Sequence, residues 1–361
     1  FCEELPTPED WVCIVSTGDN ALQIRGNILT LNTIYQGGEV LVDETGLIVY
    51  VGCSDNRPDA YDAVAASATD ITCAEGVVSP GLINAHDHLA YNHNYPSPAS
   101  DLRFNHRSEW RQFTPADWNT GSDFSETKMV WSEMRQAMAG TTSIAGASSD
   151  IGFLRNIDPH YSTFPFLDDN LWNVFSGEEP LQIVTDTFPL QDPGDYTQYE
   201  DTCSYTYDGR SYNPYYTDVY VPHVAEGVNA AANNEFVCLS MIPDMVTNDF
   251  AMVHGVALNA DDGKILAENQ SGLIWSPRSN ISLYGNTAPV THLKNQGVLI
   301  SLSTDWTPSG SMNLGRELMC VDKLNQTYLD KAFSDKELWM MVTYNPAVAF
   351  QIDDKIGSLQ A

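Results

Sequence analysis

The sequence predicts an α/β chain: a barrel of eight parallel strands with helices between them, accompanied by a small β module near the N-terminus. Three observations carry that expectation. From about residue 21 to 75, short alternating apolar and polar stretches are divided by glycine-containing turns. From 76 onward, apolar runs are followed by helical patterns, the signature of repeated strand–helix units. Several of the later runs also end in a histidine or an acidic residue.

The β module is read in "ALQIRGNILT" (21–30), "GGEVLVDETGLIVYVG" (37–52) and "DITCAEG" (70–76), with Gly and Asp-Glu-Thr-Gly marking the turns. The first barrel strand falls in "GVVSPGLINAH" (76–86). It is followed by "TTSIAGA" (141–147), "LWNVFSG" (171–177), "LQIVTDTF" (181–188), "DVYVPHVA" (218–225), "DFAMVHGVAL" (249–258), "GLIWSPRSN" (272–280) and "GVLISLSTD" (297–305). Eight such strands close a barrel whose active site lies at their C-terminal ends. The third and fourth are too close together in sequence for a full helix between them.

Two long connections stand out. Residues 89–120 carry His93, His106, Trp110 and Trp118, and residues 189–217 hold most of a cluster of eight tyrosines found between 196 and 220. Long loops in compact domains commonly serve as lids, binding loops or interfaces. A surface flap stapled by Cys203 is the alternative for the tyrosines. The expected division is an N-terminal extension and β part over 1–75, a barrel over 76–350, and the start of a return to the β part over 351–361.

With 48 acidic against 17 basic residues, the formal net charge is −31. Such a field repels phosphate backbones and anionic lipid, so nucleic acid and membrane are excluded as partners. An acidic, solvated shell suits a salty or extracellular setting. No apolar run approaches the roughly 18 to 20 residues of a membrane span. Cysteines stand at 2, 13, 53, 73, 203, 238 and 320 in no zinc-ribbon spacing. Pairing by proximity gives Cys2–Cys13, Cys53–Cys73 and Cys203–Cys238 with Cys320 left over, which implies an oxidising compartment and a secreted or periplasmic protein. Buried free thiols in a cytosolic chain are the alternative.

In "SPGLINAHDHL", His86 and His88 sit at i and i+2, so on an extended strand they project to one side. Alone that pair is weak. Later strands add His223 and Glu226 in "HVAEG", His254 in "VHG" and Asp305 in "STDW". Neutral imidazoles with one carboxylate suit Zn²⁺ or Fe²⁺ and leave a coordination position for water. A bound ion brings that water's pKa to about 7. Glu226, close but not ligated, is placed to shuttle a proton, and Asp305 to ligate and to accept a hydrogen bond from the same water. There is no Gly-x-Ser-x-Gly elbow, no phosphate loop and no dinucleotide fingerprint. The sequons at Asn269, Asn280 and Asn325 are ordinary, and Asn280 lies inside a pocket motif.

Taken together, "PGLINAHDHL", "HVAEG", "VHG", "WSPRSN" and "STDW" followed by "PSGS" and "NL" resemble the amidohydrolase superfamily, above all its branch of cytosine and guanine deaminases and triazine hydrolases. The resemblance covers roughly residues 20 to 356, with the motifs in the family's order. It implies a distorted (β/α)₈ TIM-type barrel with a small β-sandwich formed from both chain ends. It further implies that His86, His88, His223 and Asp305 bind the metal, that Glu226 shuttles the proton and that His254 contacts the attacking water or the substrate. Ser279 and Asn280 would shape the pocket, with Arg278 facing it or forming a structural ion pair; Trp306 joins the substrate-binding set.

Two-metal members bridge their ions with a carboxylated lysine on the fourth strand, and no lysine occurs between Lys128 and Lys264. One divalent ion is therefore expected, zinc ahead of iron. The family continues past a sequence like "DDKIGSLQA" into further sandwich strands, so either that segment is missing or a second chain supplies it; a homo-oligomer is the related expectation. The reading that follows is a secreted, mononuclear metal-dependent hydrolase acting on a C–N bond of a small molecule. A binding or assembly module on the same scaffold is the alternative, argued by the tyrosine-rich flap and opposed by Glu226.

Overall fold

In the computed structural model of the chain, the structure describes residues 1–8, 13–98, 101–146, 153–158, 183–186, 196–205 and 218–361. Two compact units are present, Phe1–Pro80 with Lys355–Ala361, and Gly81–Asp354.

The first unit holds one five-stranded sheet among its described residues. Its strands are β1 (Ile14–Ser16), β2 (Leu22–Leu29), β3 (Ile34–Val42), β4 (Ile48–Gly52) and β5 (Thr69–Val78), in the order β1-β5-β2-β3-β4. The β3–β4 turn is built by Asp43, whose carboxylate accepts from the N–H groups of Thr45 at 2.9 Å and Leu47 at 3.1 Å. Gly46 supplies the φ of 88° that this tight turn requires.

The disulfides differ from pairing by proximity: Cys2 joins Cys53, Cys13 joins Cys73, and only Cys203–Cys238 is as expected, with Cys320 free. Strand register explains the exchange. β1 runs antiparallel to β5 with Ile14 opposite Thr72, which brings Cys13 to Cys73. The N–H of Cys2 bonds to the carbonyl of Gln36, while Glu39 of β3 pairs with Gly52 of β4, so Cys2 and Cys53 meet at one end of that hairpin.

In the second unit β6 (Leu82–Asn84), β7 (Thr141–Ile144) and β8 (Arg155–Asn156) form a parallel three-stranded sheet. A parallel five-stranded sheet is ordered β13-β12-β11-β10-β9, from β9 (Ile183–Asp186), β10 (Val219–Val224), β11 (Ala251–His254), β12 (Gly272–Trp275) and β13 (Leu299–Leu302). Every residue of β10, β11 and β12 is buried, as in a parallel sheet covered on both faces. Phe236, Phe250, Met252, Leu266, Trp275, Leu293 and Ile300 pack there into one core. Beyond β6 the chain bridges Asp87 to Asp305, and the N–H of His88 bonds to the carbonyl of Asp305 at 2.9 Å.

The candidate strands are recovered shorter than expected, for local reasons. The stretch 76–86 divides: Gly76–Val78 end β5, and Leu82 starts β6 only after Pro80, which has no N–H to give a ladder. In "GLIWSPRSN" the strand stops at Trp275, because Pro277 opens the helix Pro277–Tyr284, closed by left-handed Gly285. The runs ending in "HVA", "VH" and "STD" turn at Ala225, His254 and Asp305, each left-handed with φ of 56°, 74° and 61°. The short β8 was not foreseen, and the candidate strand 171–177 lies outside the described residues.

Candidate metal centre

Backbone alternation past β6 sets the first half of the site. His86 and His88 point the same way, with their Nε2 atoms 3.2 Å apart, while Asp87 between them points away. Asp87 is fully buried and accepts hydrogen bonds from Asn92 at 2.6 Å, Gln136 at 2.9 Å, Asn84 at 3.2 Å and Thr304. His223, near the end of β10, brings its Nε2 to 3.1 Å from that of His86. Asp305, just past β13, places Oδ1 at 3.5 Å from His86 Nε2 and 3.6 Å from His88 Nε2.

These distances fit one ion. A tetrahedral zinc with ligands at about 2.0–2.1 Å has edges of roughly 3.3 Å. The spacings from His86 to His88, His223 and Asp305 are close to that, and the three histidine ligand atoms lie within 4.8 Å of one another. The His223 Nδ1 lies 3.0 Å from the Asp186 carbonyl, which can only accept; Nδ1 therefore carries the hydrogen and Nε2 offers a lone pair. Burial first, then the neighbouring imidazoles, hold His223 well below the usual histidine range, and the same causes put His88 at about 3. Burial alone would raise Asp305, but the hydrogen bond from His86 and the charges of His254, His88 and His86 outweigh it and hold it at about 2. The downward shifts of His88, His223 and Asp305 favour the deprotonated forms that a divalent cation needs in its ligands. Ser279 donates to Asp305 Oδ2 at 2.5 Å, which leaves Oδ1 toward the imidazoles.

Glu226 and His254 stand beside this cluster. The left-handed turn at Ala225 aims Glu226 back over the strand ends, and His254 Nε2 lies 3.7 Å from Glu226 Oε1. His254 Nδ1 meets Asn280 Oδ1 at 3.0 Å, which fixes the ring. Tyr284 donates to Glu226 Oε1 at 2.6 Å and accepts from Trp110 Nε1 at 2.9 Å.

His88, His223, Glu226, His254 and Asp305 open onto a cavity of about 360 Å³, within the range of small-molecule sites. Its remaining wall is largely aromatic, from Tyr91, Trp110, Tyr196 and Trp306, with Arg111, Thr114 and Thr120. Tyr91, Trp110 and the two threonines come from the long connection 89–120, and Trp110 and Trp306 lie 5.4 Å apart between ring centroids. Of the tyrosine-rich connection, Tyr196 reaches this wall and Tyr199 packs on Tyr205, while residues 187–195 and 206–217 fall outside the described set.

All ten sequence-derived site residues occur in this unit, but not all face the cavity. Trp306 does. Ser279 and Asn280 act from behind, one on Asp305 and the other on His254. Arg278 is exposed and turned away, with Nε on Ser311 at 2.7 Å and near Glu317 at 4.0 Å; it is a structural contact because the helix face that carries Ser279 inward carries its neighbour outward. Sequence reasoning missed Asp87 and Tyr284. The second carried a usable signal, since Asn280 and Tyr284 are four apart on one helix and share a face.

A parallel α/β frame that brings three imidazoles and a carboxylate together at its strand ends, with a second carboxylate alongside, defines a divalent-metal site of hydrolase type. The amidohydrolase family's sequence profile matches residues 227–361, so over that length the chain is similar to that family. That segment contains His254, Ser279, Asn280 and Asp305. Along the whole chain, 96% of it aligns at 24% identity with 82% of a 5-methylthioadenosine/S-adenosylhomocysteine deaminase from Symbiobacterium thermophilum. Among solved structures, an atrazine chlorohydrolase from Arthrobacter aurescens TC1 complexed with zinc superposes at a TM-score of 0.62, with 17% identity, covering 94% of this chain and 84% of that one. A guanine deaminase from Bradyrhizobium japonicum superposes at 0.56, with 15% identity over 94% and 88%. These likenesses give the fold, a TIM-barrel-type α/β architecture.

Proposed function

We propose that the protein is a mononuclear, zinc-dependent hydrolase of C–N bonds in small molecules, of deaminase type. The observation that carries this reading is the meeting of the His86, His88 and His223 ring nitrogens, with Asp305 Oδ1 beside His86 and His88 and with Glu226 alongside. A bound ion would supply a water of lowered pKa and Lewis acidity toward the substrate. Glu226 takes the proton released by the attacking water and returns it to the departing nitrogen, so that ammonia or an amine leaves. His254, fixed through Nδ1 by Asn280, steadies the polar atom on which charge develops. The ring wall of Tyr91, Trp110 and Trp306 suits a flat heterocycle. The names of the curated relatives make aminopurine nucleosides the first substrates to try.

The same reading extends to the frame. The two parallel sheets would close as a distorted (β/α)₈ barrel, and the first unit would be part of a small β-sandwich. Light scattering reads the oligomeric state. Three disulfides support a secreted or periplasmic protein, and alkylation without reductant should then label one thiol, Cys320.

The test is metal content by inductively coupled plasma mass spectrometry, followed by ammonia release over aminopurine nucleosides, free bases and triazines. About one equivalent of zinc with turnover is expected. Glu226→Gln should keep the metal and lose at least about a thousandfold in kcat. A variant as active as the parent would remove Glu226 as the proton shuttle, and a metal-loaded parent without turnover would return the site to a binding scaffold.

A further inference from the structure

We propose that Trp110 and Tyr284 form a one-way hydrogen-bond chain that positions the Glu226 side chain, holding Oε1 as a fixed acceptor. This rests on Glu226 being the proton shuttle, but the chain itself is geometric. An indole N–H only donates, so at the 2.9 Å contact the Tyr284 oxygen must accept. A phenol has one proton, and with Trp110 behind it that proton points at Glu226 Oε1, 2.6 Å away. Tyr284 is buried and lies behind Glu226, not in the cavity wall, while Trp110 is part of that wall. Burial, and then the charge of Glu226, push Tyr284 ionisation well above its usual range, so the phenol remains a donor wherever Glu226 is ionised.

The backbone is held from the same side. The N–H of Arg107 donates to the Glu226 carbonyl at 3.1 Å, and Trp110 lies on the same short helix, Arg107–Gln112. The buried Glu235 accepts from the N–H of Ala225 at 3.1 Å and from His106 Nε2 at 3.0 Å, which fastens the chain just before Glu226 to the segment entering that helix. One loop thus forms the substrate wall through its indole and sets the shuttle through the phenol. Tyr284 is a positioning residue: it touches neither the cavity nor the ligand cluster in the contacts above.

The experiment reads the chain from both ends. The protein has eight tryptophans, hence eight indole N–H signals in a ¹H–¹⁵N TROSY spectrum, and the one lost in Trp110→Phe identifies Trp110. Tyr284→Phe, which keeps the ring and its volume, should move that signal toward the shifts of an unbonded indole. Glu226→Gln should move it as well, two hydrogen bonds away. In the metal-loaded enzyme Tyr284→Phe should lower kcat by about tenfold to a hundredfold, the range for a hydrogen bond to a charged group, with KM within about twofold. A Trp110 signal that ignores Glu226→Gln, or a Tyr284→Phe variant that changes KM alone, overturns the proposal. Wild-type protein that turns over nothing while the indole signal follows Glu226 would defeat the proposed function and leave the chain standing, so the two fail separately. If Tyr284→Phe does not fold, Glu226→Gln still reads the same path.

Discussion

The two compact units reach order by different means. Phe1–Pro80 relies on an alternating mixed sheet and two long-range disulfides, and its buried polar groups among the described residues are few: Glu39, bonded to buried Gln23 and to the half-buried Arg57, and Thr72. The strand ends of Gly81–Asp354 do the reverse, burying His86, Asp87, His223, Glu226, His254 and Asp305 together and bending at left-handed, non-glycine residues. Buried polar groups cost free energy unless fully bonded, and left-handed backbone at non-glycine positions costs about 1 to 3 kcal/mol each. A chain accepts those costs where they give chemistry, so the first unit is arranged for stability and the second for a site.

The strongest way to break that contrast is to remove a ligand. His223→Ala should abolish stoichiometric metal binding and lower turnover at least about a thousandfold, because the site would keep only three of its four protein ligands and lose one of its imidazoles. If the imidazoles serve the ion and not the fold, the metal-free forms of parent and variant should differ in unfolding free energy by no more than about 2 kcal/mol. Mass spectrometry and urea titration with chelator decide it. A metal-free variant that cannot fold would mean that His223 is structural, and the contrast would fall.

The reciprocal change is Cys13→Ser with Cys73→Ser. That disulfide closes a separation of 60 residues, and constraining so long a loop stabilises by on the order of 4 kcal/mol. Unfolding followed in the first unit should show a loss of that size, while metal content stays at its parental value because all four ligands lie in the second. A coincident loss of metal would show that stability and site are not separately encoded.

What the sequence made legible follows the same division of causes. His86 and His88 could be placed from backbone alternation, and His223, Glu226, His254 and Asp305 from their positions at the ends of apolar runs, because both arguments need only local pattern. Arg278 and the disulfides could not be placed that way. Whether Arg278 faces in or out depends on helix phase at Pro277, and which cysteines meet depends on the pairing of β1 with β5, a contact between residues far apart in the chain. Asp87 escaped notice for the opposite reason. It sits inside the motif with Asn84 and Asn92 close by in sequence, but Gln136 and Thr304 come from distant segments, so its buried set of donors cannot be read from local pattern.

The smallest expected effect sharpens the contrast by separating polar burial from the cavity. Glu317 is fully buried in the first turn of the helix Leu314–Thr327, where it accepts from the N–H of Arg278 at 3.0 Å, and it does not line the site. Burial raises its pKa from 4.5 to about 7 despite the hydrogen bonds from Ser311 and Arg278. Between those values the folded chain keeps a proton that the unfolded chain has released. The contribution to stability is therefore complete below about pH 4.5 and is lost as pH rises through 7. Glu317→Gln mimics the neutral acid at every pH. Its stability relative to the parent should be near zero at pH 5 and should rise toward pH 8 by up to about 3 kcal/mol, the ceiling set by a shift of that size. Urea titrations of both proteins at the two pH values give the difference directly, with all other titrating groups common to both. Parallel curves would mean that Glu317 is ionised in the folded chain, and that charge burial in this unit extends beyond the residues that do its chemistry.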